Sequence, residues 1–137
     1  MMDLDLIITG KLNQLFSYTG HFMTRGTFLK VTKKHKRESG GDIVFFTAGT
    51  QPFWRQLVAD PYHIERKTEG GKERFLYRQH FGDNMDFVQD RFPGAMYSYR
   101  QHLKGTKELP SGCRIVTCHG RKPIQTMPEP WVKEHWR

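Results

Sequence analysis

A chain of 137 residues has room for about one domain and can bury roughly two thirds of the surface that its unfolded form exposes. Ten Phe, five Tyr and three Trp argue against intrinsic disorder, although the mean hydropathy is −0.70. The net charge of +8 and an isoelectric point near 9.7 favour phosphate-bearing partners in general, without choosing among nucleic acid, nucleotide and membrane surface.

The first strand signal is the aspartate-punctuated aliphatic run over 3–8, which closes at Gly10. It has no basic leader and is too short for a signal peptide or a membrane span, so nothing marks export. A helical turn is expected around Leu12–Phe16 and a strand near Thr27–Val31. The basic stretch over 33–41 reads as a solvated loop, and 42–47 as the next strand. Thr50 can cap a helix from Gln51 to Ala59, with Pro52 in its first turn and Asp60-Pro61 ending it. A longer helix is expected over 71–83, stopped by Gly82, followed by a short one from Asn84 to Arg91. Strands are expected over 95–102 and 113–118, and one or two helical turns over 130–137, pinned by Trp131 and Trp136. Strands alternating with helices predict an α/β sheet in a single domain spanning 1–137.

Cys113 and Cys118 are five positions apart, which on an extended strand puts them on opposite faces and roughly 16 Å from each other. A local bridge is excluded, and reduced thiols in a cytoplasmic setting are expected. Together with His119 they form a Cys-x4-Cys-His cluster. A closed zinc site needs four ligands, so cysteines in core or loop are the better reading. No nucleophile elbow and no phosphate loop of the Walker type occurs.

Two short patterns carry chemistry. Asp3 and Asp5, at i and i+2 of a strand, share a face; two converging carboxylates repel unless a cation lies between them, and Mg²⁺ or Mn²⁺ takes such oxygen ligands. The plainer reading is a pair of solvated acids. His119 and Gly120 follow a strand and lead into Arg121, Lys122 and Pro123: a close-approach glycine beside cations suits phosphate oxygens, and a basic surface turn is the plainer alternative.

The segments DLDLIITGKLNQLF and TCHGRKP resemble, respectively, the Asp-x-Asp strand and the C-terminal His-Gly…Lys-Pro motif of the A-type nucleotide-sugar glycosyltransferases, in the retaining branch that includes glycogenin and bacterial galactosyltransferases. FTAGTQPFWRQLVADP, FGDNMDF, QDRFPGAMYSYRQH and PWVKEHWR follow in the order of bacterial and viral glycosyltransferase-like proteins, so the resemblance spans nearly the whole chain. It implies the C-terminal half of a GT-A-like mixed sheet flanked by helices. It also implies Asp3, Asp5 and His119 as ligands of Mn²⁺ or Mg²⁺, with Lys122 and Gly120 at the diphosphate. Asp83, Asn84 and Asp86 stand where the family has a Gly-Asp-Gln acceptor-side motif, with Asn84 in place of the glutamine; a helix cap is the equal alternative for Asp83.

The resemblance starts at the Asp-x-Asp strand, so the family's nucleotide-binding half has no counterpart here. Ile124 follows Pro123 where tryptophan is usual, and the asparagine expected near SGGDIVFF is missing. The implied activity is metal-dependent sugar transfer from a nucleotide donor, a UDP-sugar foremost, with retention, to an unspecified acceptor. A partner chain or homo-oligomer would supply the missing half, or the chain is an inactive remnant. The alternative is a small basic protein gripping polyanions or nucleic acid through Lys33, Lys34, Lys36, Arg37 and Arg121. The metal reading requires a carboxylate of Asp3 or Asp5 within about 6 Å of a His119 ring nitrogen.

Overall fold

A computed structural model describes residue 2 and residues 4–28, 39–46, 55, 58–60, 73–120 and 123–136, with 73–76 described in backbone only. The chain is mixed α/β and forms two compact units, one made of Met1–Tyr18 with Val88–Arg137, the other of Thr19–Phe87. Each carries a small sheet of three strands. No helix among the described residues is long and apolar enough to cross a membrane.

The sheet of the first unit is ordered β1 (Leu6–Ile8), β6 (Ile115–Thr117), β5 (Met96–Ser98), with β6 antiparallel to β1 and parallel to β5. The central strand is buried along its whole length, which is why Ile115-Val116-Thr117 reads as a continuous run rather than an alternating one. Ile7 and Val116 pair across the ladder and enter one core with Tyr99, Leu103, Trp131 and Val132. Helix α4 (Pro130–His135) starts with proline at a first-turn position, where the missing N–H has no intrahelical partner to lose, and it lays Trp131 and Val132 into that core.

Thr117 is fully buried, and its hydroxyl has no hydrogen-bond partner among the described residues. Thr117→Val keeps the shape and removes the orphaned group. It is expected to raise stability by about 1 kcal/mol in urea unfolding, whereas a loss of similar size would show that the hydroxyl has a partner in solution.

In the second unit the order is β3 (Ser39–Phe46), β2 (Phe22–Gly26), β4 (Asp86–Phe87), with β2 antiparallel to β3 and parallel to β4. Helix α2 (Glu73–Phe81) lies in the connection to β4 and brings Tyr77 and Phe81, one turn apart, onto Phe22. The Phe22 and Phe81 rings stack at 4.0 Å between centroids. The β2–β3 register shifts between Thr24 and Gly26, and at this bulge Arg25 reaches across to Asp42. The Arg25 Nε–H is shared between the two Asp42 oxygens at 2.6 and 2.8 Å, with the carboxylate side chain only 2% exposed.

Several expected elements shift. Of the strand expected near Thr27–Val31, only Thr27 and Phe28 are described, and neither is in a strand; a strand forms at Phe22–Gly26, where Phe22 and Met23 are buried on its two faces. Strand β3 begins at Ser39 and so takes in both glycines assigned to a loop; a Cβ on Gly40 would meet the Arg25 guanidinium and, at 2.5 Å, an Asp42 oxygen. The rest of that basic loop, 33–38, lies outside the described residues. So does most of the helix expected over 51–59, of which Arg55, Val58 and Ala59 are described and helical. The short helix expected from Asn84 is a 3-10 turn (Gly82–Asn84), then β4, then α3 (Val88–Arg91). The strand expected over 95–102 ends at Ser98, and a π turn (Tyr99–Leu103) follows, putting Tyr99 and Leu103 into the same core. The remaining elements are the turn helix α1 (Asn13–Phe16) and a 3-10 turn at Ile124–Thr126.

Candidate functional site

The antiparallel pairing of β1 with β6 decides which residues meet at their ends. Leu6 faces Thr117, and the Cys118 N–H donates to the Asp5 carbonyl at 2.8 Å, one step beyond the strands. The next residue on the β6 side is His119, and its Nδ1 lies 3.0 Å from Asp5 Oδ2. The two side chains are 114 positions apart in sequence and about two-fifths exposed. Asp5 is thus placed at His119 well inside the expected 6 Å. The second Asp5 oxygen, Oδ1, is buried and has no hydrogen-bond partner among the described residues.

Gly120 follows with φ of +143°, a conformation that a side chain disfavours, and the position of its absent Cβ is open space. Packing therefore does not require glycine here; the backbone direction does. Asp5, Cys118 and Gly120 line one side of an open cleft of about 520 Å³, and Ile124 and Trp136 line it as well. Asp3, Arg121 and Lys122 lie outside the described residues.

Among the described residues, no three His, Cys, Asp or Glu side chains gather into a metal-holding group. Asp5 and His119 nonetheless make a fitting pair of donors. Two ligands about 2.1 Å from an ion in adjacent octahedral positions lie roughly 3.0 Å apart, so their separation suits shared ligation as well as a hydrogen bond. One oxygen and one imidazole nitrogen suit Mn²⁺, and the orphaned Oδ1 leaves the carboxylate in need of a further donor or cation.

Cys118 is buried beside the Asp5 carbonyl to which its N–H donates. Burial first, then the charges of Asp5 and Glu129, push its thiol up to about 12. Cys113 is also raised, chiefly by burial, and both thiols are free. Both pack into the same core cluster, whereas strand alternation over 113–118 placed them on opposite faces. The reason is that Cys113 lies in the turn before β6, its N–H donating to the Pro110 carbonyl, so the alternation begins only at Ile115.

Asp83, Asn84 and Asp86 belong to the other unit. Asp83 and Asn84 are exposed in the 3-10 turn after α2, and half-buried Asp86 opens β4 opposite Met23. Asp83 sits within this turn and is not the cap of a helix, as the alternative reading had it.

Sequence reasoning missed the buried acid of the first unit. Glu129, the residue before α4, accepts from the Tyr99 hydroxyl at 2.9 and 3.0 Å and from the Gly105 N–H at 2.8 Å. Burial alone would raise its pKa, but these donors together hold it below the usual carboxylate range, while burial and the adjoining Glu129 push Tyr99 up to about 12. The only signal was its place between Pro128 and Pro130 at a helix start. No family model, no curated protein and no solved structure matches the chain.

Proposed function

We propose that this chain carries the metal and diphosphate end of a nucleotide-sugar glycosyltransferase of the A-type fold, transferring a hexosyl group from a UDP-sugar donor. The observation that supports it is the meeting of Asp5 and His119, from opposite ends of the chain, beside a left-handed glycine and an open cleft. Asp5 and His119 would hold Mn²⁺ or Mg²⁺, with Asp3 as the third protein ligand. The bound ion supplies positive charge against the departing diphosphate.

The chain's own residues do the rest. Asp5 and His119 fix the ion's position at the β1–β6 edge, the backbone at Gly120 admits a phosphate closely, and Lys122 adds a second cation.

Calorimetric titration with UDP, with and without Mn²⁺, tests this. Saturable binding that requires Mn²⁺ is expected, weakened at least about tenfold in Asp5→Ala, since removing a ligand or its support costs on the order of 10- to 100-fold. Binding indifferent to metal and falling steeply with salt would instead identify a general polyanion grip. No binding by the folded chain would end the proposal as it applies to the isolated chain.

A further inference from the structure

Strand β5 lies at one edge of the first unit's sheet among the described residues, so every second backbone amide along it points off the sheet. The Ser98 N–H is one of these, and a side chain meets it. It donates to His102 Nδ1 at 3.0 Å, so the imidazole lies where a further strand would offer a carbonyl.

The π turn puts the ring there. Ser98 caps Tyr99–Leu103, its hydroxyl oxygen accepting from the Gln101 N–H at 3.4 Å, and the turn closes with the Lys104 N–H on the Tyr99 carbonyl at 2.8 Å. The Tyr97 ring of β5 meets the imidazole edge-on, with 5.8 Å between centroids, which supports its orientation. His102 is exposed, so protons reach it directly from solvent.

The kind of acceptor decides what this contact can do. An amide or hydroxyl oxygen would accept from the Ser98 N–H at any pH, whereas a ring nitrogen accepts only while it carries no proton. Neutral His102 therefore bonds as the tautomer with its hydrogen on Nε2. Protonation places a second N–H on Nδ1, directly against the N–H of Ser98, and two donors repel. Of the charged groups at this turn, Arg100 and Lys104 have the sign of a protonated ring. Glu129 reaches the turn from the residue before α4, and its carboxylate is held by the Tyr99 hydroxyl and the Gly105 N–H.

We infer that His102 is a proton-operated latch on the β5 edge: neutral, it covers the Ser98 N–H and fixes the start of the π turn, and protonated it leaves that amide to solvent. The latch works between about pH 8 and pH 5, the interval in which imidazoles change charge. Tyr99 and Leu103 stay in the core, so the opening is confined to the strand edge and the exposed part of the turn.

Amide hydrogen exchange on the full chain, followed residue by residue by NMR, reads the latch directly. In the wild type the protection factor of the Ser98 amide is expected to fall about tenfold between about pH 7.5 and about pH 5.5, while that of Val116 on the central strand changes by less than about twofold. His102→Asn sets an acceptor oxygen at the same place on the side chain and does not titrate, so Ser98 protection should stay level across the interval. His102→Phe has no acceptor and should leave Ser98 poorly protected at both ends. The chain's other histidines are common to all three proteins, so a difference among them belongs to residue 102. Long-range proton–nitrogen spectra of the wild-type ring at about pH 7.5 should place its hydrogen on Nε2. Ser98 protection that is level in the wild type, that falls as far in His102→Asn, that survives in His102→Phe, or that falls together with Val116 overturns the latch. So does a neutral ring carrying its hydrogen on Nδ1.

Discussion

Arg25→Met is expected to cost about 3–5 kcal/mol, a large part of the stability of a domain this size. The guanidinium lies on Asp42, whose side chain is 2% exposed, so the substitution takes the Arg25 charge away from a buried carboxylate while keeping most of the aliphatic stem. Arg25 also lies over the Phe28 ring at 5.6 Å, a contact that methionine partly replaces. The double variant Arg25→Met with Asp42→Leu removes the buried carboxylate as well and is expected to recover more than half of the loss. Urea unfolding followed by near-UV circular dichroism measures both. A single-variant cost under about 1 kcal/mol would mean that Asp42 is solvated in solution and that the pair contributes no more than a surface salt bridge. Gly40 belongs to the same arrangement, because its missing side chain leaves the space that the guanidinium occupies.

Glu129→Ala is expected to destabilise by about 2–4 kcal/mol, because it leaves the Tyr99 hydroxyl and the Gly105 N–H without their carboxylate acceptor. The pH dependence has a defined sign at each end. Glu129 has a lowered pKa in the folded chain, so its contribution is present above the unfolded carboxylate value of about 4.3 and is lost as pH falls through the folded value. Tyr99 is raised to about 12, so its contribution is complete below the unfolded value of about 10 and is lost as pH rises from there toward 12. Thermal melts across pH should show both limbs, with Glu129→Gln flattening the acid limb and Tyr99→Phe reducing the alkaline one. Cys118, raised from about 9 to about 12, adds to the alkaline limb in either variant. An acid limb unchanged in Glu129→Gln would assign acid sensitivity to other carboxylates.

What was legible in the amino-acid order was whatever depends on neighbours in the chain. The β6 run, the glycine stop at Gly82 after α2 and the proline-led start of α4 are local signals; the two helices end and start where these placed them, and β6 keeps only Ile115–Thr117 of the run expected over 113–118. Tyr99 and Leu103 stand at helical spacing within a stretch that otherwise looks extended; the core rewards that spacing with two buried side chains, and the strand gives way to a π turn. Gly40 of β3 looked like loop because its reason lies on another strand, in the volume of Arg25. Glu129 was illegible for the same reason, since its partners are a tyrosine 30 residues away and a backbone amide 24 away. Of the candidate site, the pairing of Asp5 with His119 was expected only through the resemblance, because nothing local to either motif says that the two strand ends meet. The lining of the cleft by Trp136 was not expected, because it depends on where α4 closes.

The Asp5–His119 contact spans 114 positions, and the β1–β6 ladder that creates it joins the first strand of the chain to the last. In kinetic terms the site is an end product of folding. During synthesis β1 emerges early and stays without its ladder partner until residues 115–117 have left the ribosome, so the first unit cannot close while the second already has all its residues. Exposed aliphatic edge over that interval is an aggregation risk, which the cell answers with chaperones or with fast completion of the chain. A chain stopped short of residue 115 would retain the acid and the strand that presents it, yet have no geometry in which to use them.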